Sequence, residues 1–238
     1  MTVVSPFLVG GPAFSGTTLL ALLCTQPGMV CLDEPDFEDP AQCHRGYADL
    51  ARHFPDADLP EPRPCGDRWA AYQLVRDCAV AVRPSALGIK TCDRRFLELA
   101  EHFRRDGLPV VMIVRDIRDA LARPLPPWTT EESLNEAYRL AWAHRDRVTA
   151  WIRYEDLVRE PASVLARVAS ALGYPGVMRT TWTADAVPGT MLKLDRHDAL
   201  RRGRIVTDRL GIGRDDSSPE TSQTARMMGY PARPAGRT

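Results

Sequence analysis

Four groups of residues in this chain have types and spacings suited to chemistry on an anion. Ser15, Gly16, Thr17 and Thr18 stand between the apolar run TVVSPFLVGG and a second apolar run, LLALL. Glycine lets the backbone come close to a ligand. The amides of Gly16, Thr17 and Thr18 at a helix start, with the hydroxyls of Ser15, Thr17 and Thr18, form a donor set for a phosphate or sulfonate. The same residues also make ordinary helix-capping chemistry, so the loop alone leaves both readings open. Arg115 directly follows the apolar run VVMIV, where its planar guanidinium could grip a phosphate in two hydrogen bonds or pair with Asp116 or Asp119. Lys90 ends ALGIK, placing an ammonium at a sheet edge unless it snorkels to solvent. Asp33 and Glu34 follow MVCL, offering carboxylates that could take a proton, or only a solvated turn before Pro35; Asp36 competes with them.

The elements that must hold these residues alternate along the chain. Strands are expected at TVVSPFLVGG, MVCL, ALGIKT, PVVMIVRD and VTAWIRYEDL. Between them, helical spacing marks SGTTLLALLCTQ, DRWAAYQLVRDCAVAV, CDRRFLELAEHFRRDG, TEESLNEAYRLAWAHRDRV and PASVLARVASALG, the last with Pro161 in its first turn and Gly173 after its end. This order predicts an α/β fold, a parallel central sheet flanked by helices on both faces, with ligands bound beyond the carboxyl ends of the strands. Residues 1–212 form one domain in this reading. Residues 35–66 are Pro-rich, hold one short helical piece, AQCHRGYADLARHF, and form an insertion or lid over a site, with a roleless surface loop as the alternative. Residues 213–238 lack periodicity and are expected to be a flexible tail.

In this order the motifs resemble those of sulfotransferases that use 3′-phosphoadenosine 5′-phosphosulfate, in the bacterial and tyrosylprotein-like branch. That family's phosphosulfate loop commonly reads R-S-G-T-T-L, and this chain has Phe14 to Leu19. A strand ending R-D-P-R-D is matched by Arg115 to Asp119, K-T-P by Lys90-Thr91-Cys92, and Y-E-D-L by Tyr154 to Leu157. The resemblance spans Phe7 to Gly173. It implies a P-loop-like sulfotransferase fold, no metal, and adenosine 3′,5′-bisphosphate as product. It implies Ser15, Gly16, Thr17 and Thr18 on the 5′-phosphosulfate, Arg115 on the 3′-phosphate and Tyr154 on the nucleotide. By the same resemblance Glu34 is the general base and Lys90 neutralises the leaving oxygen. Glu155 and Asp156 are expected to cap the following helix. A looser match, ALRRGRIVTDRLG, adds Arg201, Arg202, Gly203 and Arg204 over the 3′-phosphate. Phe14 departs from the family's arginine and Ile117 from its proline. Arg123 stands where a phosphate-binding serine is expected and takes its place as a candidate ligand.

Composition narrows the alternatives. Lys plus Arg and Asp plus Glu number 31 each, so the molecule as a whole is not a basic nucleic-acid binder and any anion site is local. Of the six cysteines none pair as C-x-x-C, and Cys24, Cys78 and Cys92 read as small core residues. With no signal peptide or membrane span in the sequence, a cytoplasmic protein with reduced thiols is expected. A homodimer is compatible with this reading. A small-molecule kinase would need G-x-x-x-x-G-K-[ST] and a strand-end aspartate, for which only Asp116 qualifies. A non-catalytic nucleotide-binding module on a decayed transferase scaffold is the other rival. The acceptor is expected to be a hydroxyl of a small metabolite or sugar, in a pocket shaped by residues 35–66 and Arg123 to Glu132.

Overall fold

Strand β1, Phe7–Gly11, carries no charge and is buried at every position, so it must be covered on both faces. In the computed structural model it lies at the centre of a five-stranded parallel sheet. The structure describes residues 5–34, 40–61, 65, 67–122, 124–182, 203, 205 and 217–233. Within them the chain runs β1, α1 (Thr17–Leu23), β2 (Met29–Asp33), α2 (Pro40–His53), α3 (Arg68–Ala81), β3 (Ala86–Cys92), α4 (Asp93–Arg105), β4 (Val110–Val114) and α5 (Ile117–Leu121). It continues through α6 (Glu131–Ala143), β5 (Ala150–Arg153), α7 (Tyr154–Arg159), α8 (Pro161–Leu172) and α9 (Pro219–Met227). The strand order is β2-β3-β1-β4-β5. From β1 the chain crosses to the edge strand β2, returns inward through β3, and then passes to the other side for β4 and β5, and this reversal opens a crevice at the carboxyl end of β1.

The period-2 alternation of the strands sorts their side chains onto two cores. Leu8, Leu32, Leu87, Ile89, Met112 and Val114 point to one face, covered by α2, α3, α4, α6 and α9. Phe7, Val9, Cys31, Val111, Ile113 and Ile152 point to the other, covered by α1, α7 and α8. Phe96 and Phe103 of α4 are almost wholly buried on the first face, and burial of each such side chain contributes about 1.5–3 kcal/mol. Gly10 is required by this packing, because a Cβ there would stand 2.1 Å from the Phe96 ring. The α/β sheet covered on both faces is the expected architecture.

Three expectations are corrected. Residues 217–233 of the expected flexible tail contain α9, whose Ala225 is buried with Met228 and Tyr230 in the first core. An N-terminal Pro219 and the Ser218 hydroxyl accepting from the Thr221 amide start that helix. Helix α2, within the expected lid, buries Tyr47 and Leu50 in the same core, so it is scaffold. The segment VTAWIRYEDL is a strand only over Ala150–Arg153; Tyr154 begins a helix that breaks at Glu160 before α8.

Candidate functional site

The loop from Pro12 to Gly16 leaves β1 at the crevice. Gly16 has φ 98°, in the left-handed region, and a Cβ there would lie 2.4 Å from Tyr154 Cδ2. Only glycine meets both demands. Helix α1 has no side-chain cap, and its first amides have no intrahelical acceptor. The capping alternative is therefore not realised. Ser15 is fully buried, and its hydroxyl has no hydrogen-bond partner among the described residues. A buried orphan hydroxyl costs about 1–3 kcal/mol, so its persistence beside open amides fits a ligand that supplies the missing acceptor. The Ala13 amide is already engaged by Asp93 Oδ1 at 2.7 Å.

On one side of the loop stand Cys92, Glu34, Lys90 and Asp33. The Thr17 hydroxyl is 3.3 Å from Cys92 Sγ, and the Cys92 thiol donates to Glu34 Oε1 at 3.3 Å. Lys90 Nζ donates to the same Oε1 at 2.8 Å and stands 2.9 Å from Asp33 Oδ1 as an ion pair without hydrogen-bond alignment. Register places them: Lys90 lies opposite Val9 on β1 and Asp33 on β2. Lys90 is 3% exposed whereas the Glu34 side chain is 52% exposed, so a buried cation points at a carboxylate that solvent can reach. The Lys90 charge holds the Glu34 carboxyl below its ordinary range. Burial pushes the Asp33 carboxyl up, against Lys90. Burial disfavours the Lys90 ammonium, but Cys92, Asp33 and Glu34 together keep it protonated well above the usual lysine range.

On the other side of the loop, Tyr154 carries the contact from Gly16 to Arg115. The Arg115 guanidinium lies 4.5 Å from the Tyr154 ring centroid, a cation–π arrangement. Arg115 is 1% exposed, with Nη2 3.9 Å from Asp119 Oδ2. Asp116 is held by Arg118, its Oδ1 accepting from the Arg118 amide at 3.0 Å and its Oδ2 from Nη2 at 2.7 Å. Glu155 and Asp156 stand in the first turn of α7, and the Glu155 carboxylate also reaches beyond that helix. It accepts from the Asp116 amide at 2.9 Å and from the Tyr230 hydroxyl at 3.0 Å, tying α7 to β4 and to the C-terminal segment.

Backbone strain gathers at the same place. Phe14, Glu34 and Asp93 are the positive-φ residues other than glycine among those described, at 63°, 44° and 54°. Each costs about 1–3 kcal/mol unless its surroundings enforce it, and such residues cluster at functional sites. Thus Ser15, Gly16, Thr17, Glu34, Lys90, Arg115 and Tyr154 come together at the carboxyl ends of the strands. Thr18 occupies the first turn of α1 with a partly exposed side chain. Gly203 stands beside Trp182, whose amide donates to its carbonyl at 3.1 Å. Asp36, Arg123, Arg201, Arg202 and Arg204 lie outside the described residues.

Two participants escaped the sequence reading. Cys92, expected in the core, is half-buried and bridges Thr17 to Glu34, with burial raising its thiol to about 12. Its place directly after the strand-end step Lys90-Thr91 was the available signal. Tyr138 is fully buried on α6 with no hydroxyl partner among the described residues, in a field to which Arg115, Glu155 and Asp116 contribute. On sequence it was one more aromatic on an amphipathic helix.

No protein-family model and no curated protein sequence matches the chain. Among solved structures it is similar to a sulfotransferase from Mycobacterium tuberculosis, at 14% identity and a TM-score of 0.40 over 78% of this chain and 70% of that one. No helix among the described residues is long and apolar enough to cross a membrane.

Proposed function

We propose that the protein transfers a sulfuryl group from 3′-phosphoadenosine 5′-phosphosulfate to a hydroxyl of a small metabolite or sugar. One observation carries the reading. An unbroken line of contacts runs from the anion loop through Thr17 and Cys92 to Glu34, Lys90 and Asp33, so donor site and acid–base pair form one unit. The buried orphan hydroxyl of Ser15 and the cradle at Gly16 fit a sulfonated phosphate. The loop carries no lysine of its own, which suits a phosphosulfate better than a triphosphate.

When bound, the phosphosulfate supplies the activated sulfuryl group and a phosphate leaving group. The chain's own residues do the rest. Ser15 and the Gly16, Thr17 and Thr18 amides hold the 5′ end. Lys90 is clamped between two carboxylates and can turn its ammonium toward the leaving oxygen, stabilising charge where it develops. As it turns, Glu34 loses the cation that depresses its carboxyl and becomes a better base for the acceptor proton, which it receives on the solvent-facing side. Arg115 anchors the ribose 3′-phosphate with Tyr154 beside it, and Arg123, Arg201, Arg202, Gly203 and Arg204 extend that grip. At 1% exposure Arg115 meets a phosphate only after the groups over it give way, so nucleotide binding involves local rearrangement. Both carboxylate oxygens of Asp116, the one candidate for a kinase magnesium ligand in the sequence, are taken by guanidinium groups.

The test is calorimetry of adenosine 3′,5′-bisphosphate without magnesium, alongside Glu34→Gln in a sulfuryl-transfer assay with an acceptor panel. The wild type is expected to bind the bisphosphate. Glu34→Gln should bind it as well yet lose about 10²–10⁴-fold in kcat. Binding of ATP–magnesium with no response to the bisphosphate would favour a kinase.

A further inference from the structure

The C-terminal segment does more than cover a core. Beyond α9 it runs along the ends of β4 and β5 and meets their charges one after another. Arg153 donates to the Met228 carbonyl at 2.9 Å and lies 4.9 Å from the Tyr230 ring centroid. Tyr230 donates to Glu155, and Arg118 Nη2 donates to the Pro231 carbonyl at 2.8 Å. Arg233 Nη2 then reaches Asp116 Oδ2 at 3.0 Å and Asp119 Oδ1 at 2.6 Å. Asp119 is therefore shared. One oxygen faces Arg233 closely, while the other faces Arg115 at the longer distance of 3.9 Å.

Charge balance gives the sharing a consequence. Among the described residues, three guanidinium groups, Arg115, Arg118 and Arg233, pair with two carboxylates, Asp116 and Asp119. Only Arg233 comes from the far end of the chain, and without it the cluster is balanced. An anion entering such a buried cluster needs uncompensated positive charge there.

We propose that Arg233 is a positioning residue for the Arg115 anion site: by engaging Asp119 and Asp116 it weakens the hold of Asp119 on Arg115 and leaves the cluster the surplus positive charge that a ribose 3′-phosphate takes up. This rests on the reading of Arg115 as the 3′-phosphate anchor. When Arg233 is lost, Asp119 turns its full charge on Arg115, and the phosphate competes with a carboxylate already in place.

The full-length protein is titrated with adenosine 3′,5′-bisphosphate and with adenosine 5′-phosphosulfate, which lacks the 3′-phosphate. Arg233→Gln should weaken the bisphosphate roughly tenfold and leave the 5′-phosphosulfate within about twofold. Asp119→Asn added to Arg233→Gln should restore most of the loss, and Arg233→Lys, which keeps the charge, should stay near wild type. A segment that only supports the fold would weaken both ligands alike, with no rescue by Asp119→Asn. That pattern, or equal bisphosphate affinity in wild type and Arg233→Gln, overturns the proposal while the transferase reading stands. Failure of the wild type itself to bind the bisphosphate overturns both.

Discussion

Replacing Lys90 with methionine tests the electrostatic core of the site without any ligand. The ammonium is buried between Asp33, whose side chain is 12% exposed, and Glu34, which is half exposed. Removing one partner of a buried pair costs about 3–5 kcal/mol because the other charge is stranded. The Glu34 contact adds at most about 1 kcal/mol, since solvent screens it. The stranded group is Asp33, which can relieve the cost by taking a proton. About 3 kcal/mol is therefore expected near pH 8, a fall in Tm of roughly 6–12 °C for a chain of this size. The pH dependence follows from the direction of each shift. Burial raises the Asp33 carboxyl, and without Lys90 it rises further. Such a group favours folding below its unfolded value, and that benefit is lost as pH climbs through its folded value. The Lys90→Met penalty should therefore shrink from about pH 8 to about pH 5. In the wild type the Glu34 carboxyl, held low by Lys90, titrates out only below the ordinary carboxylate range; in the variant it loses that depression but stays half exposed, so the pH dependence over this window falls on Asp33. The Lys90 contribution, lost only as pH rises through its raised value, lies above the window. Urea unfolding followed by circular dichroism and tryptophan fluorescence measures this, and Asp33→Asn in the Lys90→Met background should recover most of the loss. A penalty below about 1 kcal/mol at pH 8, or an equal penalty at both pH values with no recovery in the double variant, refutes the reasoning.

Gly16→Ala places a methyl 2.4 Å from the Tyr154 ring on a backbone at φ 98°, so the ring must move. A loss of about 1–3 kcal/mol in thermal stability is expected together with weakened bisphosphate binding, and unchanged values of both would contradict the cradle. The Cys92 thiol, raised to about 12, should react with iodoacetamide at neutral pH on the order of a thousandfold more slowly than an ordinary thiol. Mass-spectrometric peptide mapping reads this directly, and labelling of Cys92 at an ordinary thiol rate would show that it does not stand protonated between Thr17 and Glu34.

The sheet was legible because its strands are apolar on both faces and bounded by Gly, Pro or charge. VVMIV has no polar residue to face water, so it can only be an inner strand, and Arg115 after it can only emerge at the strand end. The same logic placed Lys90, Glu34 and Ser15 at one edge. The break at Glu160 was hidden because Pro161 reads equally as the first turn of one helix or the start of a second. Helix α2 looked like a lid because the prolines around it suggest loops. Its role is set by Tyr47 and Leu50, two apolar positions that periodicity does not rank above their neighbours.

The C-terminal segment was misread for a reason that bears on the site. Composition tests whether a segment can bury enough apolar surface by itself to remain ordered. Beside the burial of Ala225, Met228 and Tyr230, residues 217–233 are anchored through charge and hydrogen bonds to groups far away in the sequence: Glu131 accepting from Thr221 at 2.6 Å, Asn135 donating to Thr221 at 2.9 Å, Glu155 to Tyr230, and Asp116 and Asp119 to Arg233. On sequence, Asp116 and Asp119 could be satisfied locally by pairing with Arg115. Those aspartates instead carry more hydrogen-bonding capacity than the local arginines fill, and the remainder binds the chain end. A charge-balanced strand end beside a proposed phosphate anchor has no positive charge to spare for an anion unless another cation joins it. On the proposed reading that cation is Arg233, which makes the order of the C-terminal segment and the affinity of the Arg115 site for an anion two consequences of the same contacts.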